Sequence, residues 1–248
     1  MAAGITALGR EALRTGIRES SDVYANDIEV GERGLSFLLT FHKRFRVLVE
    51  LQLAGIFNVY NALLAAGVGI ALGIGPDAIR RGLEDVRAVP GRIELLETET
   101  PYRVILDYAH SPDSLENILK SVRQTTKGRL IALFGCGGDR DHGKRPIMGE
   151  IAGELADLVI LTSDNPRNED PFEILDQIEE GIRHTGCEYT VIEDRRAAIR
   201  HALSIAESSD VIVLAGKGHE TYQEIKGVKH PFDEKIVVKE LLREMRGK

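Results

Sequence analysis

Short apolar runs alternate along this chain with stretches whose apolar residues recur every three or four positions. That alternation predicts most of its elements. Leu130–Phe134 is an unbroken apolar run, too short for a helix and suited to a buried strand. Behind Pro146, the residues Ile147, Ile151, Leu155 and Leu158 predict a helix over 146–156. The same reading gives strands at 157–162, 189–193 and 210–215, separated by helices at 171–184 and 195–207. Arg92–Thr98 and Tyr102–Tyr108 read as a hairpin closed around Glu99-Thr100-Pro101, and Ser111-Pro112-Asp113 caps a helix running to about Thr125. A strand pair near Tyr222–Lys226 and His230 precedes a closing helix over Glu234–Met245. Strands alternating with helices mean a parallel sheet covered on both faces. In such an α/β sheet, ligands sit outside the carboxyl ends of the strands.

The first third of the chain is patterned differently. Residues 1–34 are polar and weakly periodic, with one short strand expected at Val23–Ile28. Leu35–Thr40 and Arg46–Leu53 predict a hairpin through His42-Lys43-Arg44. Helices follow over Phe57–Leu72 and from Pro76, well placed at a first helical position, to about Val86. Asn58 and Asn61 lie one turn apart at the entry of the first; capping is one reading of such a pair. Val89-Pro90-Gly91 breaks the pattern, so the expected domains are 1–90 and 91–248.

Composition narrows the function classes. The 248 residues are 43% hydrophobic and 29% charged, values of an ordinary globular chain. A formal net charge of −7 argues against a nucleic-acid partner. Cys136 and Cys187 give neither metal-ligand spacing nor a disulfide framework, which suits a reducing, cytoplasmic setting. No apolar run nears the ~18 residues of a membrane span, and MAAGITALGREALRTG lacks a secretory apolar core.

Three loops concentrate the chemistry. Gly135, Gly137 and Gly138 free the backbone for close approach to a ligand, and the cluster Asp139, Arg140, Asp141, His142, Lys144 and Arg145 follows. A strand, a glycine loop and a helix start make an anion site. Gly138-x4-Gly143-Lys144 has the spacing of a Walker A loop, but Arg145 stands where Ser or Thr should ligate Mg²⁺. The second loop, Thr162–Pro171, needs only Asp170 and Pro171 to start its helix, which leaves Asp164-Asn165-Pro166-Arg167 unexplained by turn chemistry. In the third, glycines flank Lys217, and His219 and Glu220 follow directly. His110, His142 and His219 imply no role by themselves, because an unshifted imidazole titrates near neutrality anyway.

GIFNVYNALLAAG (55–67), GRIE (91–94), DYAHSPD (107–113), FGCGGDRDHGKRP (134–146), SDNPRNEDP (163–171) and GKGHETYQ (216–223) together resemble the Mur ligases of peptidoglycan synthesis, most of all the MurE type. The resemblance covers residues from about 20 to 248. It implies a Rossmann-like, mostly parallel C-terminal domain preceded by part of a central ATPase domain. It also implies ATP-dependent joining of meso-diaminopimelate to UDP-MurNAc-L-Ala-D-Glu through an acyl phosphate. In this family DNPR marks enzymes that select meso-diaminopimelate, whereas lysine-adding relatives vary at that arginine. Carried over by position, the amino-acid contacts fall on Arg140, Asp164, Asn165, Pro166, Arg167, Gly216 and Glu220. ATP contacts fall on Asn58 and Asn61 near the adenine and on Arg92 and Asp107 near the ribose. Lys144 matches the lysine that approaches the reacting phosphate and carboxylate.

The same resemblance implies segments this sequence does not show, namely a UDP-sugar domain and a true Walker A loop. The cofactors are therefore ATP and Mg²⁺, with Mg²⁺ ligands expected outside this chain, and no metal site is expected within it. A fragment, a half that works with a partner chain, or a degenerate homologue all fit, and the chain is expected not to ligate alone. Two alternatives stay open: a non-catalytic amino-acid-binding module, and a small phosphotransferase using Gly138–Lys144.

Overall fold

The computed structural model describes residues 12–31, 34–41, 45–53 and 55–247. The chain divides into two compact units, Met1–Val89 and Pro90–Lys248.

In the first unit, β1 (Thr15–Gly16), β2 (Val23–Val30), β3 (Leu35–Phe41) and β4 (Phe45–Leu51) form one sheet in that order, antiparallel except for the β1–β2 pair. The expected short strand is thus an eight-residue one, with a register shift between Asn26 and Glu29. The connection 42–44 lies outside the described residues. Phe37, Leu39 and Val49 meet Val59, Leu63 and Ala66 of α1 (Phe57–Ala71) and Ile79 of α2 (Pro76–Glu84) in the core. Pro76 opens α2 as its first residue.

The second unit contains a six-stranded sheet of order β5-β6-β10-β7-β8-β9. Its strands are β5 (Glu94–Leu96), β6 (Arg103–Asp107), β7 (Leu130–Phe134), β8 (Leu158–Leu161), β9 (Glu188–Val191) and β10 (Val211–Ala215). Only β5 runs antiparallel to its neighbour. Along the central strands, alternate residues serve opposite cores, because side chains leave a strand with period two. Leu130, Ala132, Phe134 and Val213 pack with α3 (Pro112–Arg123), α4 (Lys144–Leu155) and α5 (Pro171–Ile182). Ile131, Leu133, Ile212 and Leu214 pack with α6 (Arg195–Ile205) and α7 (Glu234–Arg246). A small hairpin, β11 (Tyr222–Ile225) with β12 (Val228–Pro231), completes the unit. This is a Rossmann-like α/β architecture.

One helix departs from its sequence pattern. α4 begins at Lys144 rather than behind Pro146, and it buries Arg145, Met148, Gly149, Ala152 and Gly153. Ile147, the first residue of the expected apolar face, is 47% exposed, and Leu158 belongs to β8. Small residues face inward because α5 crosses very close. A Cβ on Gly149 would lie 2.1 Å from the Ile178 carbonyl oxygen, and one on Gly181 would lie 1.9 Å from that of Pro146. No helix among the described residues is long and apolar enough to cross a membrane.

Candidate functional site

The strand order sets Asp107, Ala215, Phe134 and Leu161 side by side at the carboxyl edge of the sheet. The loops that follow these residues therefore share one rim.

Two of them are laced together. Gly138 N–H donates to the Asn165 carbonyl at 2.9 Å, Arg167 Nη1 donates to the Gly138 carbonyl at 2.7 Å, and Asn168 Nδ2 donates to Asp139 Oδ2 at 2.8 Å. A Cβ on Gly135 would lie 1.9 Å from the Thr162 carbonyl oxygen, and one on Gly138 equally close to that of Pro166. These two glycines admit the neighbouring loop, a packing role that the sequence alone does not disclose.

Arg145 is the buried bolt of the lacing. Its side chain has no exposed surface, and its guanidinium reaches both Glu169 oxygens (2.8 and 3.0 Å), Gln177 Oε1 (2.8 Å) and the Gly137 carbonyl (3.2 Å). Those bonds, joined by the Asp139 N–H, hold the Glu169 carboxyl down to about 2. Read from sequence as one member of a polar cluster, Arg145 is the buried residue that ties the loop to Glu169 and Gln177.

The Arg167 guanidinium and the stem of the Arg140 side chain both lie against Gly137, and Arg140 Nη1 donates to the Asp139 carbonyl at 3.0 Å. A Cβ on Gly137 would lie 2.8 Å from Arg167 Nη1 and 3.8 Å from Arg140 Cγ. Arg140 is exposed on its loop, whereas Arg167 sits in the left-handed region at φ 51°. Facing the third loop, Asp164 is 7% exposed, and its Oδ2 is buried with no hydrogen-bond partner. Gly216, at φ 114°, is required opposite it, since a Cβ would lie 2.4 Å from that oxygen. Glu220 Oε2 accepts from Asn165 Nδ2 at 2.9 Å and from the fully buried Lys217 Nζ at 3.2 Å. Asn165 Oδ1 accepts from Lys217 Nζ and from the Glu224 N–H, so both ends of its amide are committed to protein.

Behind this lies a buried ion pair. Arg195 Nε donates to Glu234 Oε1 at 2.8 Å, and its other nitrogens reach the carbonyls of Ser163 and Ala215, tying the ends of β8 and β10 together. Burial pushes the Glu234 carboxyl upward against the pull of Arg195, Lys217 and its own hydrogen bond.

At the neighbouring corner, Asp107 Oδ2 accepts from the Ile93 N–H and Oδ1 from the Ala109 N–H, both at 2.8 Å. Burial raises its carboxyl, against those two bonds and the nearby Arg92. The Arg92 guanidinium lies 5.1 Å from the Tyr108 ring centroid, and Tyr108 also packs against His110 and His219. Lys144 Nζ donates to the His110 carbonyl at 2.6 Å. Asn58 and Asn61 belong to the first unit, where Asn61 Nδ2 donates to Asn58 Oδ1 at 3.0 Å. Helix α1 has no side-chain cap, so the capping reading of this pair does not hold. Cys136, beside the glycine loop, is no nucleophile: burial pushes its thiol up to about 12.

The family model of the Mur ligase glutamate ligase domain matches residues 91–218, which carry this entire rim up to the third loop. The chain belongs to the Mur ligase family. It is 50% identical over 234 residues to the UDP-N-acetylmuramoyl-L-alanyl-D-glutamate–2,6-diaminopimelate ligase of Caldanaerobacter subterraneus subsp. tengcongensis, covering 94% of this chain and 48% of that one. Its identity to the ligase of the same name from Clostridium botulinum is 46% over 241 residues, covering 96% and 49%. A solved structure of a ligase of that name aligns with a TM-score of 0.65 at 37% identity, covering 94% of this chain and 48% of that one. MurC of Thermotoga maritima shares the fold, with a TM-score of 0.69 at 17% identity over 95% of this chain and 48% of its own. This Mur ligase chain thus spans about half the length of the curated relatives it matches.

Within the Mur ligase rim, Arg140, Asp164, Asn165, Pro166, Arg167, Gly216 and Glu220 come together on adjoining loops, with Arg92, Asp107 and Lys144 in the same unit. Sequence reasoning missed the buried supports Arg195 and Glu234 and the half-buried Glu224. For Lys217 the flanking glycines were a signal of a crowded backbone; for Arg195 and Glu234 no sequence signal exists, because their contacts span 39 positions.

Proposed function

We propose that this chain supplies the amino-acid-binding half of an ATP-dependent acid–amino-acid ligase of peptidoglycan precursor synthesis, acting in the cytoplasm. Pro90–Lys248 would be its C-terminal domain and the first unit the end of its central ATPase domain. The proposed substrates are UDP-MurNAc-L-Ala-D-Glu and meso-diaminopimelate. The observation that carries this reading is that the Arg167 guanidinium and the Arg140 side chain, both against Gly137, share one rim with the unpartnered Asp164 Oδ2 and the Glu220 carboxylate. Guanidinium forks suit a carboxylate, and the Asp164 and Glu220 carboxylates suit an ammonium. A ligand carrying both at one end fits this frame, and lysine lacks the distal carboxylate.

Asp107 accepts one N–H on each oxygen and retains lone pairs for ribose hydroxyls, with Arg92 beside it, so these residues fit a nucleotide. ATP supplies the phosphoryl group that turns the peptide carboxylate into an acyl phosphate, releasing ADP. The diaminopimelate amine then attacks the acyl carbon, expels phosphate and gives up a proton. This chain's part is to orient that amine and to bring the Lys144 ammonium, lodged at the His110 carbonyl, against the charge that develops. Among the described residues no group of three or more His, Cys, Asp or Glu could hold a metal ion, so no step is assigned to Mg²⁺ here. The phosphotransferase alternative loses support, because Arg145, at the position of the Mg²⁺-binding hydroxyl, is sealed against Glu169.

Calorimetry tests the proposal. The chain should bind meso-diaminopimelate at least about tenfold more tightly than lysine, and Arg167→Ala should erase that preference. Equal binding of the two amino acids sinks it. Amino-acid binding with no ATP binding would favour the non-catalytic module instead.

A further inference from the structure

Arg167 is not oriented by its own loop alone. Four consecutive residues of the β11–β12 hairpin hold the segment Asp164–Arg167. Gln223 Nε2 donates to the Asp164 carbonyl at 2.8 Å, and the Glu224 N–H donates to Asn165 Oδ1 at 2.9 Å. Arg167 N–H donates to the Glu224 carbonyl at 3.0 Å, the Lys226 N–H donates back to the Arg167 carbonyl at 2.6 Å, and Arg167 bridges Ile225. These backbone bonds keep a non-glycine residue at φ 51°. The Glu224 carboxylate then lies 3.3 Å from Arg167 Nε, while Nη1 is held by the Gly138 carbonyl on the other side. Two nitrogens of one planar group are thereby tied to two different loops.

We infer that Glu224 is a specificity-determining positioning residue, which fixes the plane of the Arg167 guanidinium for the distal carboxylate of the amino-acid substrate. The inference rests on the reading of the site given above. A guanidinium recognises a carboxylate through its flat fork, so its orientation decides the contact. Glu224 also carries a charge that repels an incoming carboxylate. That opposing effect is the weaker one, because the Glu224 side chain is 26% exposed and water screens it, whereas orientation is set by contact. Lysine, with no second carboxylate, makes no use of this orientation.

The test is calorimetry of the full 248-residue chain and of Glu224→Gln, Arg167→Ala and the double variant, each titrated with meso-diaminopimelate and with lysine. Glu224→Gln removes the ion pair and leaves the hairpin backbone bonds; circular dichroism checks the fold. We expect its affinity for meso-diaminopimelate to fall about tenfold further than its affinity for lysine, and no added effect of Glu224→Gln once Arg167 is alanine. Equal losses for both ligands, or an unchanged preference, overturn the inference. If Arg167→Ala still erases the preference in that case, the reading of the site stands. An unaltered chain with no preference overturns the reading, and this inference with it.

Discussion

A guanidinium with no exposed surface one residue beyond Lys144 makes the glycine loop a folded object in its own right. Replacing Arg145 by Met keeps the volume and strands Glu169, Gln177 and the Gly137 carbonyl; the expected loss is about 3 kcal/mol in denaturant unfolding, as for other broken buried pairs. Arg145→Thr, which would complete a Walker A sequence, is expected to cost as much and to gain no Mg²⁺-dependent ATP binding. The Arg145–Glu169 contact also predicts a pH signature. The Glu169 carboxyl is held at about 2 in the folded chain against an ordinary 4.5. A carboxyl depressed by folding stabilises fully above its unfolded value and loses that contribution as pH falls through its folded value. Denaturation midpoints should therefore drop as pH falls from 4.5 toward 2, and Glu169→Gln should flatten that part of the profile. A parallel profile in the variant would mean that other carboxylates dominate acid unfolding.

Helices α4 and α5 cross on glycine, and this makes an element-scale prediction with its own control. Gly149→Ala and Gly181→Ala each drive a methyl into a carbonyl on the opposing helix, with no flexible side chain to yield. Each should cost about 3 kcal/mol or more. Gly82→Ala on the exposed α2 meets nothing within 4 Å and should gain about 0.5–1 kcal/mol from helix propensity. Thermal unfolding of the three variants checks both signs. The same helix shows what the sequence could and could not disclose. The existence of α4 was legible in apolar spacing, but its inward face was not, because counting large apolar residues is blind to a contact made by glycines. Its start was misplaced for a related reason: Arg145 reads as polar punctuation, yet folds inward as part of the helix. At the rim, Asp164-Asn165-Pro166-Arg167 was legible because turn chemistry leaves those residue types unexplained. The hairpin that holds them was legible only as a strand pair, since its grip on the loop is made by hydrogen bonds between residues more than fifty positions apart.

At the scale of the whole molecule, the proposed amino-acid site draws on one unit alone. Every expected amino-acid contact, from Arg140 to Glu220, lies within Pro90–Lys248, together with its own two-faced core and the buried Arg195–Glu234 pair. A unit that contains all contacts for a ligand should bind it without help. The segment 90–248, produced alone, is therefore expected to fold cooperatively and to bind meso-diaminopimelate within about threefold of the full chain. Calorimetry of both proteins with this ligand measures it directly. A loss of about tenfold or more would show that the amino-acid frame depends on the first unit, and would contradict the self-contained hydrogen bonding of its loops.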